Sequence, residues 1–161
     1  MFRYSKKWLN DISINKIDHN ELYKIIYDAG FEYGGIEKFE DDELVEIEVK
    51  ANRPDVLCQY GVLREYYAYK SWECPEPIND LNLIKGKIED LGLSIRINEN
   101  LCERMVLIKV ENVDNTIDTP DQIKRMLEKY KINSINPIVD VSNYLMLEMG
   151  QPFHIYDYAS V

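Results

Sequence analysis

Cysteine and histidine, the residues that most often build metal and redox centres, are scarce here: three cysteines and two histidines in 161 residues. Cys58, Cys74 and Cys102 are odd in number, widely spaced and fit no zinc or redox pattern, so they are expected to be buried thiols. With only His19 and His154, a histidine-rich metal site is excluded. No apolar run approaches the roughly 20 residues of a membrane-spanning helix. Met1–Lys7 is not followed by the apolar stretch of a signal peptide. A cytoplasmic location with no membrane partner is the expectation. Positive charge is also short: 19 Lys and Arg against 29 Asp and Glu leave a net charge of −10. That balance argues against a general nucleic-acid-binding surface, because Lys and Arg make most phosphate contacts. DNA is not expected as a partner, and RNA contact would be local or carried by another chain. No Gly-rich phosphate loop is present, and no Ser or Cys sits in a nucleophile motif beside a histidine.

The remaining composition, 45% hydrophobic and 30% charged, is that of an ordinary globular chain. Phe2–Tyr4 reads as an edge strand, with Ser5 capping a helix from Lys6 to Asp11. Asp18-His19-Asn20-Glu21 has the form of a capping box, an Asp oxygen for the helix amides and a Glu reaching back. Leu22, Ile25, Ile26 and Ala29 would form the buried stripe of that helix, Gly30 would end it, and His19 would point to water. Phe31–Phe39 looks extended with a bend or bulge at Gly34-Gly35, and Leu44–Lys50 alternates as a half-buried strand does. Its outward Glu46 and Glu48 read as a solvated face. Asp55 would cap a helix from Val56 to about Lys70, in which Gly61 permits close packing. Arg53 and Arg64 either bind phosphate or pair with Asp55 or another carboxylate.

Prolines and Gly86 place a linker over 73–90, between units at 1–72 and 91–161. In the second unit, Leu93–Ile97 and Arg104–Val110 read as strands. Thr119, Pro120 and Gln122 would start a helix with Ile123, Met126, Leu127 and Tyr130 on its apolar face. The fold class is α+β: a small mixed or antiparallel sheet with helices, then a partial second α+β unit. The most informative stretch is 133–154. Pro137 suits a first helical position, Ile138, Val141, Leu145 and Met149 recur at helical spacing, and Gly150 suits a left-handed end. Pro152 keeps the helix from resuming, so Gln151, Pro152 and His154 fall on a short corner where chemistry is sought. His154 is the candidate acid–base residue there; Asp140 reads as a surface or buried-pair carboxylate.

Two stretches carry a family resemblance. Glu46–Cys58, "EIEVKANRPDVLC", resembles the "EIEVxxNRPDxL" signature of phenylalanyl-tRNA synthetase β chains. Ser134–Asp157, with "INPIVDVSNYLMLEMGQPFHIYD", is similar to the start of the B3/B4 editing module of the same chains, and "YSKKWLNDI" and "AGFE" also match. Bacterial β chains usually insert an OB-fold between "AGFE" and "EIEV", whereas here only Tyr33–Leu44 separates them, so that domain is expected to be absent. The resemblance implies an editing module that hydrolyses tyrosine mis-attached to tRNA(Phe). Pro152 and His154 would lie in its pocket, with Asn143 close by. The family's pocket extends beyond the equivalent of Val161 and takes its tyrosine-reading glutamate from there. This chain is therefore expected to lack a complete editing pocket as well as the ligase active site. No cofactor is expected on it, ATP and Mg belonging to a catalytic α chain. That α chain and tRNA(Phe) are the implied partners, and uncovered strand edges raise self-association. Two other readings stand beside this one: a free-standing paralogue acting as a binding module, and a trans-editing hydrolase that relies on His154.

Overall fold

Ser5 ends the first strand and starts the first helix in a single residue. Its hydroxyl accepts the Trp8 amide at 2.9 Å, satisfying a donor that the helix start leaves open, so β1 (Phe2–Ser5) runs directly into α1 (Lys6–Ile12). The computed structural model describes residues 1–77, 86–87, 91–98, 101–103 and 105–160. In α2 (His19–Asp28) the Asp18 carboxylate accepts from the amides of Asn20 and Glu21, as the capping pattern predicts. The reciprocal contact does not form. Glu21 instead accepts from Lys70 Nζ at 2.8 Å and Tyr66 Oη at 3.1 Å, while the Asp18 amide donates to Tyr66. A charge-assisted partner is worth more than a neutral amide, and α3 supplies one. Leu22, Ile25 and Ile26 are buried, but Ala29 is exposed because it is already the C-cap, followed by Gly30 at φ +86°. His19 is half-buried rather than turned to water. Its Nε2 faces Asn10 Nδ2 at 3.0 Å, and burial followed by the Lys6 charge lowers its pKa.

β2 (Glu32–Phe39) and β3 (Asp42–Glu48) form a hairpin around Glu40-Asp41, with a bulge between Tyr33 and Gly35. The sheet is antiparallel with order β1-β3-β2, which puts Phe2–Ser5 at an edge and β3 in the centre. Leu44, Val45 and Ile47 of β3 are buried and Glu48 is exposed. The whole interval Tyr33–Leu44 is thus taken up by the hairpin, with no room for an inserted domain. The fold class is α+β.

After β3, Pro54–Val56 makes a single 3-10 turn, and α3 starts only at Gln59, running to Tyr69. Asp55 does not cap it, because Arg53 and Arg64 occupy its carboxylate; Cys58 Sγ does, accepting the Gly61 amide at 3.2 Å. The core lies between the sheet and α1, α2 and α3, built on Leu9, Leu22, Ile25, Phe31, Leu63 and Tyr66 among others. Cys58 is buried within this half, and Cys74 and Cys102 are half-buried. Beyond it, Tyr60 donates to the Pro75 carbonyl at 2.7 Å and Cys74 packs on the core; residues 78–85 and 88–90 of the expected linker lie outside the described residues.

The second half has two main helices, α4 (Asp121–Lys129) and α5 (Pro137–Met149). Leu93–Ile97 does not form the expected strand, and neither does 105–110, the described part of Arg104–Val110. Val106, Ile108 and Val110 are exposed. An alternating pattern marks what a strand can bury, but a ladder also needs a neighbour for its N–H and C=O groups. Thr119 does not cap α4 either, since its hydroxyl is committed to Asp140. Met126 and Leu127 are buried as the pattern requires, and so is Lys129, whose ammonium reaches Asp41 at 2.8 Å and Asp42 at 3.3 Å.

Gly61 leaves less room for a side chain than Gly30, Gly34, Gly35, Gly92 or Gly150. A Cβ there would stand 2.0 Å from the Asp55 carbonyl oxygen and 2.9 Å from Val56 Cα, both backbone atoms that cannot rotate away. Gly61→Ala should destabilise by about 3 kcal/mol, the upper range of overpacking, and lower Tm by about 10 °C in a calorimetric scan.

Candidate functional site

The corner after α5 is built from the helix start onward. Asn136 caps it, its side-chain oxygen accepting the Val139 amide at 3.0 Å, and Pro137 takes the first helical position. One turn on, Asp140 is fully buried. Its carboxylate accepts from Thr119 Oγ1 and Ser134 Oγ at 2.5 Å each and from the Ile135 amide at 2.9 Å. Burial pushes this carboxyl upward, but the hydroxyls of Ser134 and Thr119 and the amides of Ile135 and Asn136 outweigh it, so its pKa lies below the usual carboxylate value. The carboxylate ties the turn before α4 to the turn before α5.

The same side of α5 carries Tyr144 and Glu148, at successive four-residue steps from Asp140. Tyr144 stacks on Trp8 with ring centroids 4.3 Å apart, and Trp8 Nε1 donates to Glu148 Oε2 at 2.6 Å. Burial, then the Glu148 carboxylate, hold the Tyr144 hydroxyl well above the usual tyrosine value. The apolar row Ile138, Val141, Leu145 and Met149 lies about a third to a half turn further round at roughly 100° per residue, and none of its members is fully buried. Ile138, Leu145 and Met149 are half-buried, as are Tyr144 and Glu148, and Val141 is exposed, so both sides of α5 are partly covered. The side bearing Asp140, Tyr144 and Glu148 carries the hydrogen bonds and the ring stack.

Gly150 ends α5 in the left-handed conformation (φ +75°), with its amide on the Met146 carbonyl at 2.9 Å. A side chain would be strained at this φ and would also stand 3.0 Å from Cys58 Sγ. Residues 151–157 then run without regular structure and are exposed. Gln151 Nε2 donates to the Pro152 carbonyl at 3.1 Å, and the His154 ring lies 6.5 Å from that of Tyr156. Asn143 is half-buried on α5, about two turns before Gly150. Among the described residues one cavity lies between α2 and the sheet and another is lined by Ile12, Tyr60, Pro75, Glu76, Pro77 and Glu148. Neither is lined by Asn143, Pro152 or His154.

Arg53 grips Asp55 through Nε and Nη2, both at 3.0 Å, also pairs with Glu65, and lies 5.1 Å from the Phe31 ring centroid. Arg64 reaches the same Asp55 oxygen at 3.3 Å. Asp55, with burial opposing, keeps Arg53 firmly protonated. Among the described residues no group of three or more His, Cys, Asp or Glu could hold a metal ion, and no helix is long and apolar enough to cross a membrane. The residues that sequence reasoning missed are Trp8, Thr119, Ser134 and Glu148. Glu148 lies on α5 itself and Ser134 just before it, while Thr119 and Trp8 reach the helix from further off, and no local pattern marks these contacts.

An N-terminal α+β layer carrying a helix that ends in an exposed, glycine-defined corner is the architecture, and known proteins are similar to the chain in sequence. Residues 101–161 match the family model of the B3/4 domain. Over 157 residues, 98% of the chain, it is 29% identical to the phenylalanine–tRNA ligase beta subunit of Rhodopirellula baltica. It is 36% identical over 118 residues, 73% of the chain, to that of Clostridium tetani, and 37% over 131 residues, 81% of the chain, to that of Bdellovibrio bacteriovorus. The chain spans 23%, 15% and 15% of the length of these three relatives. It is a chain of the phenylalanine–tRNA ligase beta-subunit type.

Removing the Asp140 carboxylate leaves the buried Thr119 hydroxyl, and with it the Ser134 hydroxyl and the Ile135 amide, without their acceptor. Asp140→Ala should cost about 3 kcal/mol in urea unfolding near neutral pH. The folded pKa of Asp140 is depressed, so its stabilisation is present above the unfolded value of about 4 and is lost as pH falls through the lower folded value. The gap between wild type and variant should therefore narrow as pH is lowered below about 4.

Proposed function

We propose that this chain works within a phenylalanyl-tRNA synthetase as scaffold and as part of an editing pocket, alongside an α chain that carries the amino-acid-activating site. The observation that carries the reading is similarity to phenylalanine–tRNA ligase beta subunits along 98% of the chain. ATP and Mg would be bound by the α chain. tRNA(Phe) would meet this chain locally, since its net charge of −10 disfavours a broad phosphate-binding face.

Asn143, Pro152 and His154 are the pocket residues in this reading. Support comes from the way α5 is secured: Asp140 at its start, Trp8 on its flank and Gly150 at its end leave Pro152 and His154 exposed just past a rigid cap. Selecting tyrosine over phenylalanine needs a polar partner for one hydroxyl, because an apolar pocket barely discriminates such a pair. His154 is assigned as a wall of the pocket that orients the ester. Its removal should slow hydrolysis less than the hundredfold or more typical of a lost general base.

The test is the complex. Co-expressed with the synthetase α chain from the same cells, this chain, within whatever longer polypeptide carries it, should co-purify with it. In that complex His154→Ala should slow deacylation of Tyr-tRNA(Phe) by about tenfold and leave Phe-tRNA(Phe) formation unchanged. Failure to co-purify would remove the synthetase assignment. Deacylation unaffected by the substitution would remove the role given to His154.

A further inference from the structure

We propose that Trp8, on α1 of the N-terminal half, is a positioning residue for the corner after α5 and acts there through the Glu148 carboxylate. The proposal rests on the reading of Pro152 and His154 as pocket residues, and adds to that site a residue from the far end of the chain. Trp8 is 1% exposed, yet it is not a member of the apolar cluster between the sheet and α1, α2 and α3, to which its neighbour Leu9 belongs. Its ring is turned the other way, edge-on to Tyr130 at 6.1 Å and stacked on Tyr144 at 4.3 Å. The indole Nε1 donates to Glu148 Oε2 at 2.6 Å, which ties α1 to the last turn of α5. The side chain thus serves α5 rather than the core of its own half.

The helix has an anchor at each end. Asp140 in its first turn is held by Thr119, Ser134 and the Ile135 amide, all from the second half. Glu148 stands two turns later, about 12 Å along the axis, and its indole partner comes from the first half. Two directional contacts on one side fix the rotation of a helix, whereas stacked rings alone would let it slide. The indole bond goes to a half-buried carboxylate, so it is about twice as strong as a neutral one. Between Met149, the last helical residue, and Pro152 stand only Gly150, at φ +75°, and Gln151. Proline holds its own φ near −65°. Few free torsions separate the pinned turn from the corner, so a rotation of that turn is carried to Pro152 and on towards His154. A misplacement of about 1 Å can cost about a hundredfold in rate.

The test is a double-mutant cycle in the complex with the α chain, this chain being within whatever longer polypeptide carries it. Trp8→Phe removes the indole donor and should lower kcat for Tyr-tRNA(Phe) deacylation about fivefold, with KM and Phe-tRNA(Phe) formation unchanged. In the His154→Ala background the same substitution should slow the reaction by less than about twofold further, because both changes then act on one site. Glu148→Leu should match Trp8→Phe, whereas Glu148→Gln keeps an oxygen for the indole and should retain most of the rate. These two variants decide the matter should Trp8→Phe not fold. Losses from Trp8→Phe and His154→Ala that multiply are what general destabilisation produces, and they would overturn the proposal. So would an unchanged rate in Trp8→Phe and Glu148→Leu, or a loss in Glu148→Gln equal to that in Glu148→Leu. If His154→Ala slows deacylation and Trp8→Phe does not, the pocket reading stands and the positioning role is removed. If His154→Ala changes nothing, the pocket reading falls and the role of Trp8 falls with it.

Discussion

A buried carboxylate, Asp42, is the point on which the two halves of the described chain depend. It opens the central strand, and it accepts the Ser5 hydroxyl at 2.6 Å, the Lys7 amide at 3.1 Å and the Lys129 ammonium at 3.3 Å. Three elements, the β1–α1 junction, the hairpin and the end of α4, are thereby tied to one group. Neighbouring Asp41 shares Lys129, and that ammonium, with Lys7, holds the Asp41 carboxyl well below its usual value. Such an arrangement is tolerated in a buried place only when every charge is matched, so its parts depend on one another. Gln59 extends it, accepting the Ser5 amide at 3.0 Å and donating to the Tyr130 hydroxyl at 2.6 Å.

Trp8 makes the second attachment. Its ring lies against Tyr130 of the α4 end and Tyr144 of α5, edge-on to the first and stacked on the second. Its indole nitrogen donates to Glu148. Cys58, which caps α3, also lies against Gly150 at the far end of α5. The corner bearing Pro152 and His154 is thus positioned by the N-terminal half, through contacts that begin at α1 and at the start of α3. Damage to the N-terminal half would therefore be felt at the corner that carries Pro152 and His154.

Much of the fold follows from short-range patterns. Ser5, Asp18, Asn136 and Gly150 cap helices as their side chains and φ preferences dictate, because a cap involves only residues within one turn. The strand at Leu44 and the bulge at Gly34-Gly35 are equally local. Expectations failed where two local rules competed or where a distant partner intervened. Asp55 was drawn away from α3 by arginines, Thr119 from α4 by Asp140, and Glu21 from its own helix by Lys70. Leu93–Ile97 and 105–110 carry a strand pattern, but no neighbouring strand completes a ladder with them among the described residues.

The sequence by itself determined where α5 begins and ends, that Pro152 and His154 follow it, and which proteins the chain resembles. Each of these depends only on the order of residues along a short stretch. Tertiary structure alone decided which way α5 faces. Periodicity marked Ile138, Val141, Leu145 and Met149 as one apolar face, whereas the hydrogen bonds and the ring stack that fix α5 fall on Asp140, Tyr144 and Glu148. A hydrophobic stripe states only that a face is apolar. The rotation of the helix is set by groups outside it, Thr119, Ser134 and Trp8, whose hydrogen bonds to the Asp140 and Glu148 carboxylates are directional in a way that apolar contact is not.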